Sequence, residues 1–279
     1  MAKIFATGTT GYIGGDALYL ISQKHPEWEL TCLVRNSDKG AKVAAVYPKV
    51  RLVYGDLDTV DLIEEEAANS DIVYHFANCD HEASARAIAK GLARRNREGT
   101  GYWIHTSGTL ILGWETIDLA DFGNRLDKVY DDWDNVGELI SQPDHAAHRN
   151  DLSNLYLLLG EAALNGGSPA TWNDQGYYLA ENGPFVWGDL IQEIANVAHK
   201  NGLLPEATVE SLSPAEAETF LPNARLLMGT NSRGVSIRGK KLLGWKPAMH
   251  GIMEEIPECV ESEAERLGLI KRHAAKVAG

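Results

Sequence analysis

Eight residues near the start of the chain, Thr7-Gly8-Thr9-Thr10-Gly11-Tyr12-Ile13-Gly14, limit its folding more than any others. They follow a short apolar run at 3–7, and they precede a stretch in which Ile13, Ala17, Leu20, Ile21 and Lys24 recur at helical spacing. A strand that passes into a helix through three glycines has few geometries open to it. Gly8 permits a tight turn, Gly11 leaves the backbone bare on one side, and Gly14 lets the helix lie close against the strand.

The same alternation continues. Strands are expected at 29–35, 50–54, 71–77 and 102–106, with helices at 60–68 and 84–97, the second carrying Ala85, Ile88, Ala89 and Leu92 on one side. The strands lack strict polar alternation, as parallel strands covered on both faces should. The pattern implies an α/β fold, a doubly wound parallel (Rossmann) sheet with right-handed crossovers. After Thr109 the texture changes. Residues 113–150 are polar, aromatic and acidic, and a helix from Asp151 carries Leu152, Leu155, Leu158, Leu159 and Ala162 before Asn165-Gly166-Gly167 closes it. Then come a strand-like 176–180, a helix over 187–200, and Ser213-Pro214-Ala215-Glu216, which has the capping-box form of a helix start. A stretch at 237–243 ending in Gly244 and an amphipathic run over 249–267 complete the chain. The expected division is a dinucleotide-binding domain at 1–150 and a smaller α+β substrate region at 151–279.

The glycine turn carries chemistry as well as shape. Unpaired N–H groups and the positive end of the helix dipole suit a diphosphate, so Thr7, Gly8, Thr10, Gly11, Tyr12, Ile13 and Gly14 are candidate cofactor contacts. An acidic residue about 20 positions further on would bond the ribose 2′-hydroxyl of NAD. Arg35 stands there instead, with Lys39 and Lys42 just beyond. A guanidinium suits a 2′-phosphate by charge and by its planar donor fork, which favours NADP over NAD; the alternative is an ordinary surface arginine. In Gly55-Asp56-Leu57-Asp58 a carboxylate can accept from the adenine amino group or cap the next turn, and the two roles are compatible. Ala77 and Asn78 end the fourth strand with side chains small enough to pass the cofactor, and Asp80 and His81 follow on the substrate side.

Charge and composition exclude some classes. A formal net charge of -13 argues against general affinity for nucleic acid or anionic membranes, though one local anionic group is still permitted. Cys32, Cys79 and Cys259 show no metal-ligand spacing, and no apolar run approaches the ~18 residues of a membrane span. Without a signal-like leader, the expectation is a soluble, cytoplasmic protein acting on a small molecule.

In order along the chain, Thr-Gly-x-x-Gly-x-x-Gly, Gly-Asp-Leu, His75-Phe76-Ala77-Asn78 and His105-Thr106-Ser107-Gly108 resemble an extended short-chain dehydrogenase/reductase of the epimerase/dehydratase-like branch. Asp151-Leu152 and Leu242-Leu243-Gly244-Trp245-Lys246-Pro247 carry the likeness, more loosely, to the end. Thr106-Ser107-Gly108-Thr109 and the Trp-rich insert are similar to fungal-type members rather than to sugar-nucleotide epimerases. The resemblance implies hydride transfer between a nicotinamide and a small carbonyl or alcohol, with Ser107 or Thr106 at the reacting oxygen and a homodimer among the assemblies open to it.

Two departures qualify that implication. The family's Tyr-x-x-x-Lys pair occurs nowhere in this chain. The nearest positional substitutes are His145 and His148 as acid/base and Arg149 for the ribose hydroxyls, or all three are ordinary polar helix residues. Asn150 also abuts Asp151 directly, where the family inserts a sixth strand with its crossover, roughly 30 residues or more. A redox-silent dinucleotide-binding protein is therefore the second reading.

Overall fold

The computed structural model describes residues 1–134, 136–137 and 152–270. Five parallel strands, β1 (Lys3–Thr7), β2 (Glu29–Val34), β3 (Arg51–Tyr54), β4 (Ile72–His75) and β5 (Tyr102–His105), pair in the order β3-β2-β1-β4-β5. The first four crossovers contain α1 (Tyr12–Lys24), α2 (Ser37–Val46), α3 (Val60–Ala68) and α4 (Glu82–Ala93). After β5 come a 3-10 turn (Thr109–Gly113), α5 (Trp114–Asp118), and α6 (Leu152–Leu164).

Both faces of the sheet are covered, which is why its strands show no polar alternation. On one face Ile4, Ala6, Cys32, Tyr74 and Ile104 pack with Ala17, Leu18 and Ile21 of α1 and Leu155 and Leu159 of α6. On the other, Phe5, Leu33, Val53 and Val73 pack with Ile63 and Ala67 of α3 and Ala87 and Ile88 of α4. Strand order reverses between β1 and β4, so the chain leaves these two strands in opposite directions. A crevice opens at their carboxyl ends, the usual place for a ligand in such sheets.

Two local outcomes were not legible in the sequence. Helix α2 buries only Gly40 and Val43, too little to leave a periodic signature; the Asn36 side chain starts it by accepting from Lys39 N–H at 3.0 Å. Residues 176–180, expected as a strand, form none. The Leu179 N–H, which a strand would give to a neighbouring carbonyl, donates instead to Asp132 Oδ2 at 2.8 Å. The fully buried Asp132 carboxylate also accepts from the Ile237 and Arg238 N–H groups at 2.7 and 2.8 Å. The buried Arg238 guanidinium donates in turn to the Asp132 carbonyl, the Thr171 hydroxyl and the Gln175 side chain. A two-residue parallel ladder, β6 (Tyr130–Asp131) with β7 (Gly234–Val235), and α10 (Arg238–Leu243) flank this knot.

The chain divides into two compact units. The first comprises Met1–Glu115, Asp127–Ala180 and Ser232–Lys246. Residues 152–180 and 232–246, placed in the C-terminal region by sequence, thus group with the sheet, because α6 buries Leu155, Tyr156, Leu157, Leu159, Ala162 and Ala163 together. The second comprises Thr116–Leu126, Glu181–Asn231 and Pro247–Gly279. Within it lie α7 (Trp187–Lys200), α8 (Pro214–Phe220), α9 (Ala224–Met228) and α11 (Ile252–Arg266), and Leu190 and Val197 of α7 pack on Ile256 and Val260 of α11. The capping box expected at Ser213 and Glu216 is present at the start of α8. No described helix is long and apolar enough to cross a membrane.

Candidate functional site

The glycine turn is built as its residue types require. Gly8 has φ +73°, and a Cβ there would lie 2.6 Å from the Phe76 carbonyl carbon and the Ala77 nitrogen. A Cβ on Gly14 would lie 2.5 Å from the Gly8 oxygen and 3.0 Å from Phe76 Cβ. Both glycines are therefore closed in by backbone. Gly11 differs: a Cβ there would meet only the Gly8 oxygen, at 3.2 Å, and the residue is otherwise open to solvent.

Helix α1 begins at this open side with no side-chain cap on Gly11 and no acidic residue in its first turn. By contrast, α2 and α4 are capped by the Asn36 and His81 side chains. The first N–H groups of α1 are thus left for an outside acceptor, which fits a diphosphate. Thr10, Gly11 and Tyr12 are exposed there and Ile13 is half-buried, whereas Thr7 is fully buried and its hydroxyl meets His75 Nδ1 at 2.8 Å. The Thr7 side chain faces the interior of the sheet.

At the end of β2, Arg35 is exposed, and no side chain among the described residues pairs with its guanidinium. Asp56 Oδ1 accepts from the Asp58 N–H and the Thr59 hydroxyl at 3.1 and 3.0 Å, so the turn-capping role is the one seen, with Leu57 half-buried behind it. After β4, Ala77 is half-buried and Asn78 exposed, its side chain accepting from the Asp80 N–H at 3.2 Å. Asp80 is exposed, but His81 is occupied: Nδ1 caps α4 by accepting from Ser84 N–H, and Nε2 lies 3.2 Å from Asp58 Oδ1.

At the end of β5 the exposed Ser107 hydroxyl has no partner among the described residues, while Thr106 Oγ1 lies 2.7 Å from the Tyr156 hydroxyl. Burial pushes the Tyr156 hydroxyl well above the usual tyrosine range. His145, His148, Arg149 and the Asn150–Asp151 junction lie outside the described residues.

Sequence reasoning missed Tyr156. A tyrosine was sought with lysine four places on, and here that place holds Gly160, where any Cβ would run into the Tyr74 hydroxyl. It also missed the role of His75, whose Nε2–H donates to the Asn78 carbonyl at 3.2 Å. Burial, with His105 stacked 5.0 Å away, pushes the His75 imidazole down to about 4, so the ring is neutral. Among the described residues no group of three His, Cys, Asp or Glu side chains is placed to hold a metal.

Comparison with known proteins agrees with this geometry. Residues 4–107 match the profile of the NAD dependent epimerase/dehydratase family. The chain is 34% identical to Oxidase ucsJ of Acremonium sp. over an alignment of 344 residues, covering 96% of this chain and 99% of that protein. The alignment is longer than this 279-residue chain, so the relative has positions without a counterpart here. Two solved structures share the fold. A nucleoside-diphosphate-sugar epimerase from Pseudomonas aeruginosa has TM-score 0.58 at 13% identity, covering 95% of this chain and 98% of that one. The yeast methylglyoxal/isovaleraldehyde reductase Gre2, complexed with NADPH, has TM-score 0.51 at 12% identity, covering 96% and 100%. With an open helix start at the crevice of a Rossmann sheet, and a relative matched along nearly its whole length, the chain belongs to the NAD(P)-binding epimerase/dehydratase family of extended short-chain dehydrogenases/reductases.

Proposed function

We propose that this protein is an NADP-dependent oxidoreductase acting on a small carbonyl or alcohol. The observation that carries the cofactor choice is Arg35: an exposed, unpaired guanidinium one strand over from a helix start left open to an anion. The first turn of α1 would hold the pyrophosphate and Arg35 the 2′-phosphate. Bound there, the nicotinamide would supply the hydride. Ser107 would hold the carbonyl oxygen, and the Thr106 hydroxyl, refilled from Tyr156, would give it a proton. The oxidase name of the Acremonium relative and the NADPH in the yeast reductase support this class of chemistry without fixing the substrate. Three free cysteines suit a reducing compartment, and the cytoplasm is the location we assign.

A redox-silent cofactor-binding role is the second reading. It is favoured by the absence of any Tyr-x-x-x-Lys pair and by the buried Tyr156 hydroxyl, with no lysine four places on to lower its pKa. Calorimetric titration with NADPH and NADH, on the parent and on Arg35→Asp, tests the cofactor: tighter NADPH binding is expected, reversed in the variant. Equal affinities in the parent would sink the NADP assignment. Turnover of NADPH with a panel of carbonyls separates the two readings, since the redox-silent one allows none.

A further inference from the structure

We infer that the Thr7–His75 side-chain bond is a clamp that fixes the dinucleotide crevice, which makes His75 a positioning residue for the pyrophosphate. The inference rests on the dinucleotide-binding reading above and adds a role for two side chains that touch no ligand.

Thr7 and His75 are register partners on the last rung of the β1–β4 ladder, the point from which the two strands part to form the crevice. The backbone bond beyond them, from Phe76 N–H to the Thr7 carbonyl, is a long 3.2 Å. On the same rung the Thr7 hydroxyl and His75 Nδ1 are 2.8 Å apart, and both residues are fully buried. Because Nε2–H donates to the Asn78 carbonyl, Nδ1 is left as an acceptor and the hydroxyl must donate to it. One neutral imidazole thus holds the residue before Gly8 on one side and the loop carrying Ala77 and Asn78 on the other.

The neighbours leave the ring no freedom. His105 stacks on it at 17°, and His81 approaches from the start of α4 with its own ring held by Ser84 and Asp58. The two loops also touch without slack, since the bare side of Gly8 faces the Phe76 carbonyl at distances that exclude a Cβ. A displacement of the post-β4 loop would therefore carry the glycine turn with it, and with it the N–H groups that must meet the pyrophosphate. The residue choice points the same way. The neighbouring β1 residues Ile4, Phe5 and Ala6 are buried and apolar, and valine would fill the Thr7 site equally well, so packing alone does not call for a hydroxyl.

The isosteric Thr7→Val and the hydroxyl-retaining Thr7→Ser test this, with NADPH and 2′-AMP as titrants and a thermal melt of each variant. Thr7→Val should weaken NADPH binding roughly threefold to tenfold and Thr7→Ser should restore it, while 2′-AMP, which carries no pyrophosphate, keeps its affinity in both. Adding His75→Leu to Thr7→Val should cost less than the two separate losses combined. A Thr7→Val protein that binds NADPH like the parent, whatever its melting temperature, overturns the clamp. So does an equal loss for 2′-AMP, or a Thr7→Ser protein no better than Thr7→Val. A parent that binds no dinucleotide overturns the cofactor reading as well, so the two failures are distinguishable.

Discussion

The ends of β1 and β5 solve opposite problems. At β1 the chain withholds side chains: three glycines and an uncapped helix leave backbone donors facing outward. At β5 it brings side chains together: Thr106 meets Tyr156 from fifty residues away, and the two hydroxyls satisfy each other. The open end is made for an outside acceptor, whereas the closed end has met its own needs. A site made of backbone can persist while the rest of the family pattern is lost, because it depends only on a turn and three small residues. A site made of converging side chains depends on every element that carries them.

The largest expected effects lie within the glycine turn, where two substitutions of the same size should fail differently. Gly14→Val drives a side chain into the Gly8 carbonyl and Phe76, and should destabilise the protein by more than ~3 kcal/mol. Gly11→Val meets little protein, so it should melt near the parent yet lose NADPH binding below detection. Thermal melts paired with calorimetry check both. A Gly11→Val protein that still binds NADPH would mean the open side of the turn is not where the pyrophosphate lies.

Acid stability probes β4, between the two ends. The His75 pKa is held at about 4, below its unfolded value of about 6.5. Stability is therefore full above about pH 6.5 and lost as pH falls toward about 4, where the unfolded chain takes up a proton that the folded one refuses. The whole difference is worth about 3 kcal/mol, and the buried His105, shifted the same way, adds to it. Melts at pH 7.5 and 4.5 on the parent and on His75→Gln measure the part due to this ring. If acid weakens both proteins equally, His75 is not its source.

The smallest effects belong to β5. Tyr156→Phe should cost about 1 kcal/mol in a denaturant melt, the usual worth of one hydrogen bond, because it strands the Thr106 hydroxyl. Ser107→Ala, exposed and unpaired, should change stability by less than ~0.5 kcal/mol but lower any NADPH-dependent carbonyl reduction. If Tyr156→Phe leaves stability unchanged, the two hydroxyls are not joined and the contrast between the strand ends is lost. A Ser107→Ala protein with undiminished turnover would remove Ser107 from the reaction.

The sheet was readable residue by residue: the strands at 3–7, 29–35, 50–54, 71–77 and 102–106 appear within a few residues of their expected ends. So was the turn, since glycine spacing is local information and a helix start needs nothing distant to leave its N–H groups free. Helix α2 was not, because two buried residues leave no period to detect. Neither was the irregular path of 176–180. There the deciding partner of Leu179 is a carboxylate forty-seven residues earlier, which also gathers Ile237 and Arg238. What the sequence determined by itself is the parallel sheet and the dinucleotide turn, both written in contiguous apolar runs and glycines. Tertiary structure alone decided that Thr7 faces His75 and that Tyr156 reaches Thr106. Each of these bonds joins side chains whose meeting is set by strand order and helix packing, and no spacing along the chain encodes that.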